Sequence, residues 1–391
     1  MSEKNKLKCE YCGDAYVNHG FVLFGGYLSA LIDPMFQKMN KLLPDCMIRF
    51  VDIFLKFLFN IHLFLRVIKL SENVEKANTL RSKVIWEEAI KRGIKMSQVV
   101  FMGIYTDNYR AKINGEYVYF DSLPIPDSMN TLRKNWDNKY YFKKHFMTQD
   151  LPVPKYFKVS LFKNKRKQLF DKIDKPFIVK PQEGSRGRHT TTHIYNIEDF
   201  EKAYKIARQL SPAIVMEEQL MGYVCRATCV NGKLAGFYRA EPASVIGDGI
   251  HTIEELVVLK NENKPERVSA VEINTEIKEH IGRLGLKIDD VLPKDKKIFL
   301  SYRIGRLFGG VTREMLDELH PSFVPVLEKA SQFTKLPVVG LDCIIIDPES
   351  DEKTQKWGII ECNTLPFIDL HYFALFGKPK NIAGMVWDLW K

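Results

Sequence analysis

Gly340-Leu341-Asp342-Cys343-Ile344-Ile345-Ile346 and, past a polar turn, Trp357-Gly358-Ile359-Ile360-Glu361-Cys362-Asn363 read as two strongly apolar strands, each carrying oxygen-bearing side chains. Residues i and i+2 of a strand face the same side. Glu361 and Asn363 therefore point together, and pairing of the strands as a hairpin brings them to Asp342. Hard oxygen donors around one point suit a Mg²⁺ ion bridging phosphates. The plainer alternative, acids at strand ends facing solvent, fits poorly with residues embedded in such apolar runs.

Upstream, Lys180-Pro181-Gln182-Glu183-Gly184-Ser185-Arg186-Gly187-Arg188 places a lysine at a strand end before a glycine-bearing turn. Glycines let backbone N–H groups approach phosphate oxygens, and the lysine adds charge. The segment lacks the GxxxxGK[ST] and GxGxxG spacings, and by itself an ordinary surface turn explains it equally well.

Between these signals the chain alternates strands (177–180, 213–216, 223–230, 233–239) with a helix over 197–209, and Asn231-Gly232 marks a hairpin. Before them, 78–92 and 138–149 read as helices, 99–104 and 117–121 as strands, and Asn114-Gly115 as another hairpin turn. A junction falls near Pro154. From Met47 to Leu70 an apolar stretch is broken by Asp52, Lys56, Asn60 and Arg66, the pattern of an amphipathic helix rather than a spanning one. Its apolar face packs on the protein itself in the commonest case, on a second subunit in the next, and on a membrane surface as a third alternative.

Composition sets the class: 391 residues, 45% hydrophobic and 27% charged, suit a folded protein of two or three packed units. The charge of +10 favours an anionic partner without choosing among nucleotide, nucleic acid and membrane. The densest basic run, Lys163-Asn164-Lys165-Arg166-Lys167, has no interleaved aromatics and reads as a solvated connection, so no nucleic-acid partner is expected. Seven cysteines without a regular framework fit a reducing cytoplasm. Cys9-Glu10-Tyr11-Cys12 has the spacing of half a zinc site; with His19 alone as complement, a terminus without metal is expected and weak zinc binding is the alternative.

From about Asn138 onward the sequence resembles ATP-grasp ligases, most closely the ATP-grasp domain shared by cyanophycin synthetase and the bifunctional glutathione-synthesising enzymes. The resemblance is carried by 138–154, 177–187, 216–222 and Gly309-Gly310. It continues in Glu361-Cys362-Asn363, His371 and 377–383. Most distinctive is Glu241-Pro242-Ala243-Ser244-Val245-Ile246-Gly247-Asp248-Gly249-Ile250-His251-Thr252-Ile253-Glu254-Glu255-Leu256. The implied fold is α/β (α+β): an ATP-grasp domain over 136–391, two α+β subdomains gripping ATP with a lid at about 155–220. A pre-ATP-grasp-like α/β domain at 71–135 and an N-terminal segment at 1–70 with the amphipathic helix precede it.

The resemblance implies that Lys139 and Lys180 contact ATP phosphates and that Glu183, Gly184, Ser185 and Gly187 fold over them. Met216 to Leu220 becomes the hinge at adenine, with Glu217, Glu218 and Leu220 among its contacts. Asp342, Glu361 and Asn363 hold one or two Mg²⁺, with Mn²⁺ as the alternative ion. Arg226 and Arg239 match basic positions near the phosphates or the substrate carboxylate, a role suited to a planar fork; the ordinary alternative is a surface ion pair. His371 matches a family histidine and is substrate-side at most.

The implied activity is an EC 6.3-type ligation: ATP activates an amino-acid or peptide carboxylate as an acyl-phosphate, and an amine displaces the phosphate. Two departures stand out. Ser301 and Gly305 replace an arginine and an asparagine before the glycine pair, where Arg303 and Arg306 could restore the charge, and Tyr223 and Val224 stand where an acid near ribose is expected. The chain ends at Lys391 where cyanophycin synthetase continues into a Mur-ligase-like module, so a stand-alone cytoplasmic ligase, as a homo-oligomer, is expected. The alternatives are an ATP-dependent phosphotransferase and a non-catalytic nucleotide-binding regulator.

Overall fold

A computed structural model describes residues 9–12, 17–28, 61, 63, 65, 67–129, 135–184 and 187–391. Most of the expected amphipathic segment 47–70 lies outside these residues, as does Ser185.

Strands β1 (Ile68–Ser71), β2 (Met96–Phe101), β3 (Ile104–Ile113) and β4 (Glu116–Asp121) form an antiparallel sheet in chain order. Asn114 and Gly115 turn β3 into β4 with φ of 50° and 88°, the double positive φ of a type I′ hairpin. Helix α1 (Leu80–Lys91) starts at Thr79, whose hydroxyl accepts from the Ser82 N–H. Its apolar face does not close a core of its own. Val84, Ile85, Trp86 and Ala89 join Met96 and Tyr109 in one core with Val230, Val338, Ile382 and Trp387 from the far end of the chain. Within 71–129 the described residues thus form an antiparallel sheet and a helix whose core is shared with the C-terminal end of the chain.

Helix α2 (Lys139–Met147), capped by Asn138, leads into a small sheet ordered β5 (Tyr156–Lys158), β8 (Ile214–Glu218), β6 (Phe177–Pro181), β7 (Thr191–Ile194). Helices α3 (Lys163–Lys172) and α4 (Ile197–Arg208) cover it. Phe200, Ala203 and Ala207 of α4 bury against Phe177, Val179 and Met216. Each such large apolar side chain contributes about 1.5–3 kcal/mol. The basic run 163–167 is therefore the start of a helix, not a connection. Its lysines stay out, but Arg166 is buried and held by Glu201 through contacts of 2.9 and 2.7 Å.

The large sheet runs β11 (Lys297–Ile304), β10 (Lys233–Ile246), β9 (Tyr223–Val230), β13 (Val338–Ile345), β14 (Gly358–Asn363), with β12 (Val311–Glu314) also paired to β10. Helices α5 (Ile253–Glu262) and α6 (Thr275–Arg283) pack beside β10 and β11. On one face, Phe142 and Phe146 of α2 and Phe323 and Leu327 of α7 (Phe323–Thr334) meet Cys225, Ala227, Leu341 and Cys343. Helix α8 (Ile382–Trp387) covers the other face beside α1, where Trp387 Nε1 donates to the Ile85 carbonyl at 2.9 Å. The small sheet reaches the large one where the His193 ring stacks on Tyr302 at 3.8 Å. Among the described residues, no helix is long and apolar enough to cross a membrane.

Candidate active site

The register of the large sheet sets the site. Arg226 of β9 pairs with Asp342 of β13, and Asp342 with Glu361 of β14, while Tyr238 of β10 faces Arg226 from the other side. Directly opposed residues share a sheet face, so these four side chains form one row. Asn363, two residues beyond Glu361, brings its amide nitrogen to 3.3 Å from Asp342 Oδ2. The expected hairpin and its oxygen cluster are therefore present.

Asp342 is buried and accepts from Arg226 Nε and a terminal nitrogen at 2.5 and 2.6 Å, a two-pronged pair. Burial pushes the Arg226 guanidinium down, but Asp342 more than reverses this and holds it above its ordinary value. Glu361 Oε1 lies 3.3 Å from Lys139 Nζ, which also donates to the Gly184 carbonyl at 2.6 Å. One ammonium thus ties the carboxylate cluster to the glycine turn. Glu183 at that turn accepts from Asn138 and Asn135 at 3.0 and 3.3 Å.

A second cluster lies behind it. Glu217, fully buried on β8, faces Lys143 at 2.8 Å and Lys180 at 2.9 Å. Burial raises its carboxyl, and the two ammoniums overcome this, leaving it below the ordinary carboxylate range. For Lys143, entirely enclosed, burial dominates over Glu217 and lowers it to about 7. Lys143 was not expected from sequence, yet it lies one helical turn from Lys139, and that i,i+4 spacing is a legible sign. Glu217 consequently points into a lysine pair. Glu218 is held by Lys356 and by the Lys155 N–H, and Leu220 packs near Gly358. Gly222, just before β9, has φ of 128°, and a Cβ there would sit 2.4 Å from the Ile345 carbonyl oxygen, so this position requires glycine.

The four arginines separate. Arg226 lies in the row. Arg306 is buried, donating to Thr312 at 3.0 Å and the Phe373 carbonyl at 2.7 Å, while its Nε has no partner among the described residues. Asp369, also unexpected, is buried with Oδ1 unpaired among the described residues and lies within electrostatic reach of both Arg306 and Tyr238; burial raises its carboxyl. Arg239 pairs in register with Cys225, on the opposite face from Arg226, and is held by Glu241 at 2.7 Å over the Tyr223 ring. Arg303 reaches Glu276 of α6 at 2.8 Å. These two are placed in ion pairs away from the row, the ordinary alternative that sequence left open for Arg239.

His371 is fully enclosed, with Nδ1 2.6 Å from Glu314 and Nε2 2.8 Å from the Thr228 hydroxyl. Both ring nitrogens are thus paired inside the core. This is a packing role. Replacing His371 with leucine leaves Glu314 buried without its partner and is expected to cost about 2–4 kcal/mol in chemical denaturation, with turnover per folded molecule kept.

All three donors of the Asp342, Glu361 and Asn363 set carry oxygen, which fits Mg²⁺ and not a softer ion. The lysines around it fit a polyphosphate.

This arrangement is the ATP-grasp fold: the crystal structure of a bifunctional glutathione synthetase from Pasteurella multocida superposes with a TM-score of 0.57 at 22% identity, over 81% of this chain and 44% of that one. In sequence the chain is similar to cyanophycin synthetase of Synechocystis, 28% identical over 248 residues that make up 61% of this chain and 28% of that protein. It is also similar to the glutathione biosynthesis bifunctional protein of Clostridium perfringens, 27% identical over 324 residues, 79% of this chain and 41% of that protein. The chain thus spans well under half the length of these relatives. No protein-family model matches it.

Proposed function

We propose that the chain is an ATP-dependent carboxylate–amine ligase that forms a C–N bond through an acyl-phosphate, using Mg²⁺ and a small-molecule acid and amine. The observation that carries this reading is the position of Lys139 Nζ between Glu361 Oε1 and the Gly184 carbonyl, which joins a hard-oxygen set, a phosphate-type turn and a basic cluster. Similarity to a peptide-forming and a glutathione-forming enzyme supports it.

A carboxylate attacking the γ-phosphorus of ATP is repelled by the triphosphate, so catalysis consists chiefly of neutralisation and in-line placement. Lys139 and Lys180 would meet the phosphates, and Lys143 adds positive charge from behind. Asp342, Glu361 and Asn363 would hold Mg²⁺, whose charge would offset that of the phosphate oxygens. Arg226, kept extended by Asp342, and Arg306 would orient the acid, whose oxygens would satisfy the unpaired Arg306 Nε. The acid's oxygen forms the new P–O bond as the bond to ADP breaks; the amine nitrogen then displaces phosphate from the acyl carbon. Closure of the small sheet over the large one keeps water from the acyl-phosphate.

Two measurements follow. Phosphate release from Mg·ATP across a panel of amino acids and dipeptides, with hydroxylamine as trap, should give acid-dependent hydroxamate. Acid-dependent ADP without hydroxamate would favour a phosphotransferase instead, and nucleotide binding without turnover a regulator. Secondly, a bound triphosphate should return the charge to Lys143, so nucleotide binding at pH 8 is expected to take up a proton. Calorimetry in buffers of different ionisation heat should show this uptake, and Lys143→Met should abolish it.

A further inference from the structure

We infer that Cys9, Cys12, His19 and His189 form a structural zinc site that fastens the N-terminal segment to the small sheet next to the phosphate-type turn. Their ligand atoms all lie within 4.8 Å of one another, the sole set of three or more such groups among the described residues. Cys12 Sγ is 3.1 Å from His19 Nε2 and 3.3 Å from His189 Nε2, and Cys9 Sγ is 3.6 Å from His189 Nε2. With Zn–S near 2.3 Å and Zn–N near 2.0–2.1 Å, tetrahedral geometry puts sulfur and nitrogen about 3.5 Å apart. The observed spacing is that of a contracted ligand shell.

Local structure prepares each ligand. The turn Glu10–Cys12 closes with the Cys12 N–H donating to the Cys9 carbonyl at 3.0 Å, which sets both sulfurs on one side. His189 Nδ1 lies 2.8 Å from the Ile206 carbonyl. A carbonyl only accepts, so Nδ1 bears the proton and Nε2 presents its lone pair to the sulfurs, the outer-shell arrangement usual for a metal-bound histidine. Hydrogen bonds among the four do not account for the geometry equally well. The His189 lone pair faces two sulfurs, and Cys12 Sγ faces two imidazole nitrogens, while each thiol has one proton to give. Two thiolates with two imidazoles select Zn²⁺ over Mg²⁺ or Ca²⁺.

The expectation of a metal-free terminus counted ligands within the first twenty residues only. The fourth ligand lies 177 residues after Cys12, which no local spacing rule reveals. Its position gives the site a consequence: His189 immediately follows the turn 183–188, and its N–H donates to the Tyr11 carbonyl at 3.3 Å. Further along, Tyr27 lies 2.8 Å from Arg208 of α4. Zinc would therefore anchor the chain directly after 183–188, the segment that the proposed function puts over the phosphates.

The test uses the full chain purified without chelator. Elemental analysis should find one zinc per chain retained through desalting and released by a mercurial. The metal-free chain titrated with Co²⁺ should develop thiolate charge-transfer and tetrahedral d–d absorption saturating at one equivalent. Cys12→Ser and His189→Gln should each abolish stoichiometric binding, with Cys9→Ser, at a half-buried position, as a third variant should those two misfold. Zinc should also slow tryptic cleavage at Arg188. Zinc well below one equivalent with no cobalt–thiolate band, or wild-type spectra from all three variants, would overturn the site.

Discussion

Glu361→Ala is expected to lower acid-dependent ATP turnover on the order of 10³-fold, about 4 kcal/mol in activation free energy, while leaving the fold intact. The side chain is part-exposed, and among the described residues its ion pair is the 3.3 Å contact with Lys139; the buried Lys139 ammonium loses that carboxylate but keeps the Gly184 carbonyl, so the stability cost should be small beside that of removing Asp342. What is lost is a proposed hard-oxygen ligand opposite Asp342 in the register of β13 and β14. Asp342→Ala should behave differently. It removes a proposed metal ligand and also strands Arg226, whose Nε and one terminal nitrogen both go to that carboxylate, so about 3–5 kcal/mol of stability should be lost with the activity. Denaturation midpoints beside turnover rates separate the two variants; equal destabilisation would mean Glu361 is structural.

Glu217→Ala should produce the largest loss of stability of any single change in the small sheet, about 3–5 kcal/mol where both lysines are protonated, because it leaves Lys143 and Lys180 buried without their shared carboxylate. The pH dependence carries a sign. Lys143 titrates at about 7 in the folded chain and near its ordinary lysine value when unfolded, so between these the unfolded chain binds more protons. Stability from this group therefore rises with pH above about 7. Without Glu217 the folded value falls further and the window widens downward. The variant should thus be least stable relative to wild type near pH 6 and recover part of the difference by pH 9, as urea midpoints would show. Glu217 acts in the opposite limb: its depressed carboxyl stabilises the fold above its ordinary value and loses that contribution in acid.

Much of this was legible from local pattern. The two Asn-Gly turns, the helices α2 and α4 and the pairing of Asp342 with Glu361 follow from turn chemistry and period-two alternation, because each depends on neighbours in sequence. What sequence missed depends on distant ones. The face that Arg239 takes is set by its register against Cys225, and a one-residue offset from Tyr238 sends it away from the row. The run 163–167 looked like a connection because its charges outweigh its apolar residues, yet Arg166 is neutralised by Glu201 on the next helix. The cover of the apolar face of α1 was not legible either, because it comes from α8, at the other end of the chain. Asp369 gave no signal at all, since a single acid at the start of a four-residue helix acquires meaning only through burial.

The most direct test of carboxylate activation is isotope transfer. With the acid selected from the panel carrying ¹⁸O in its carboxylate, the released phosphate should gain one ¹⁸O per turnover, because the oxygen that attacks phosphorus leaves with it. Phosphate free of label, formed at the same rate, would contradict the acyl-phosphate account.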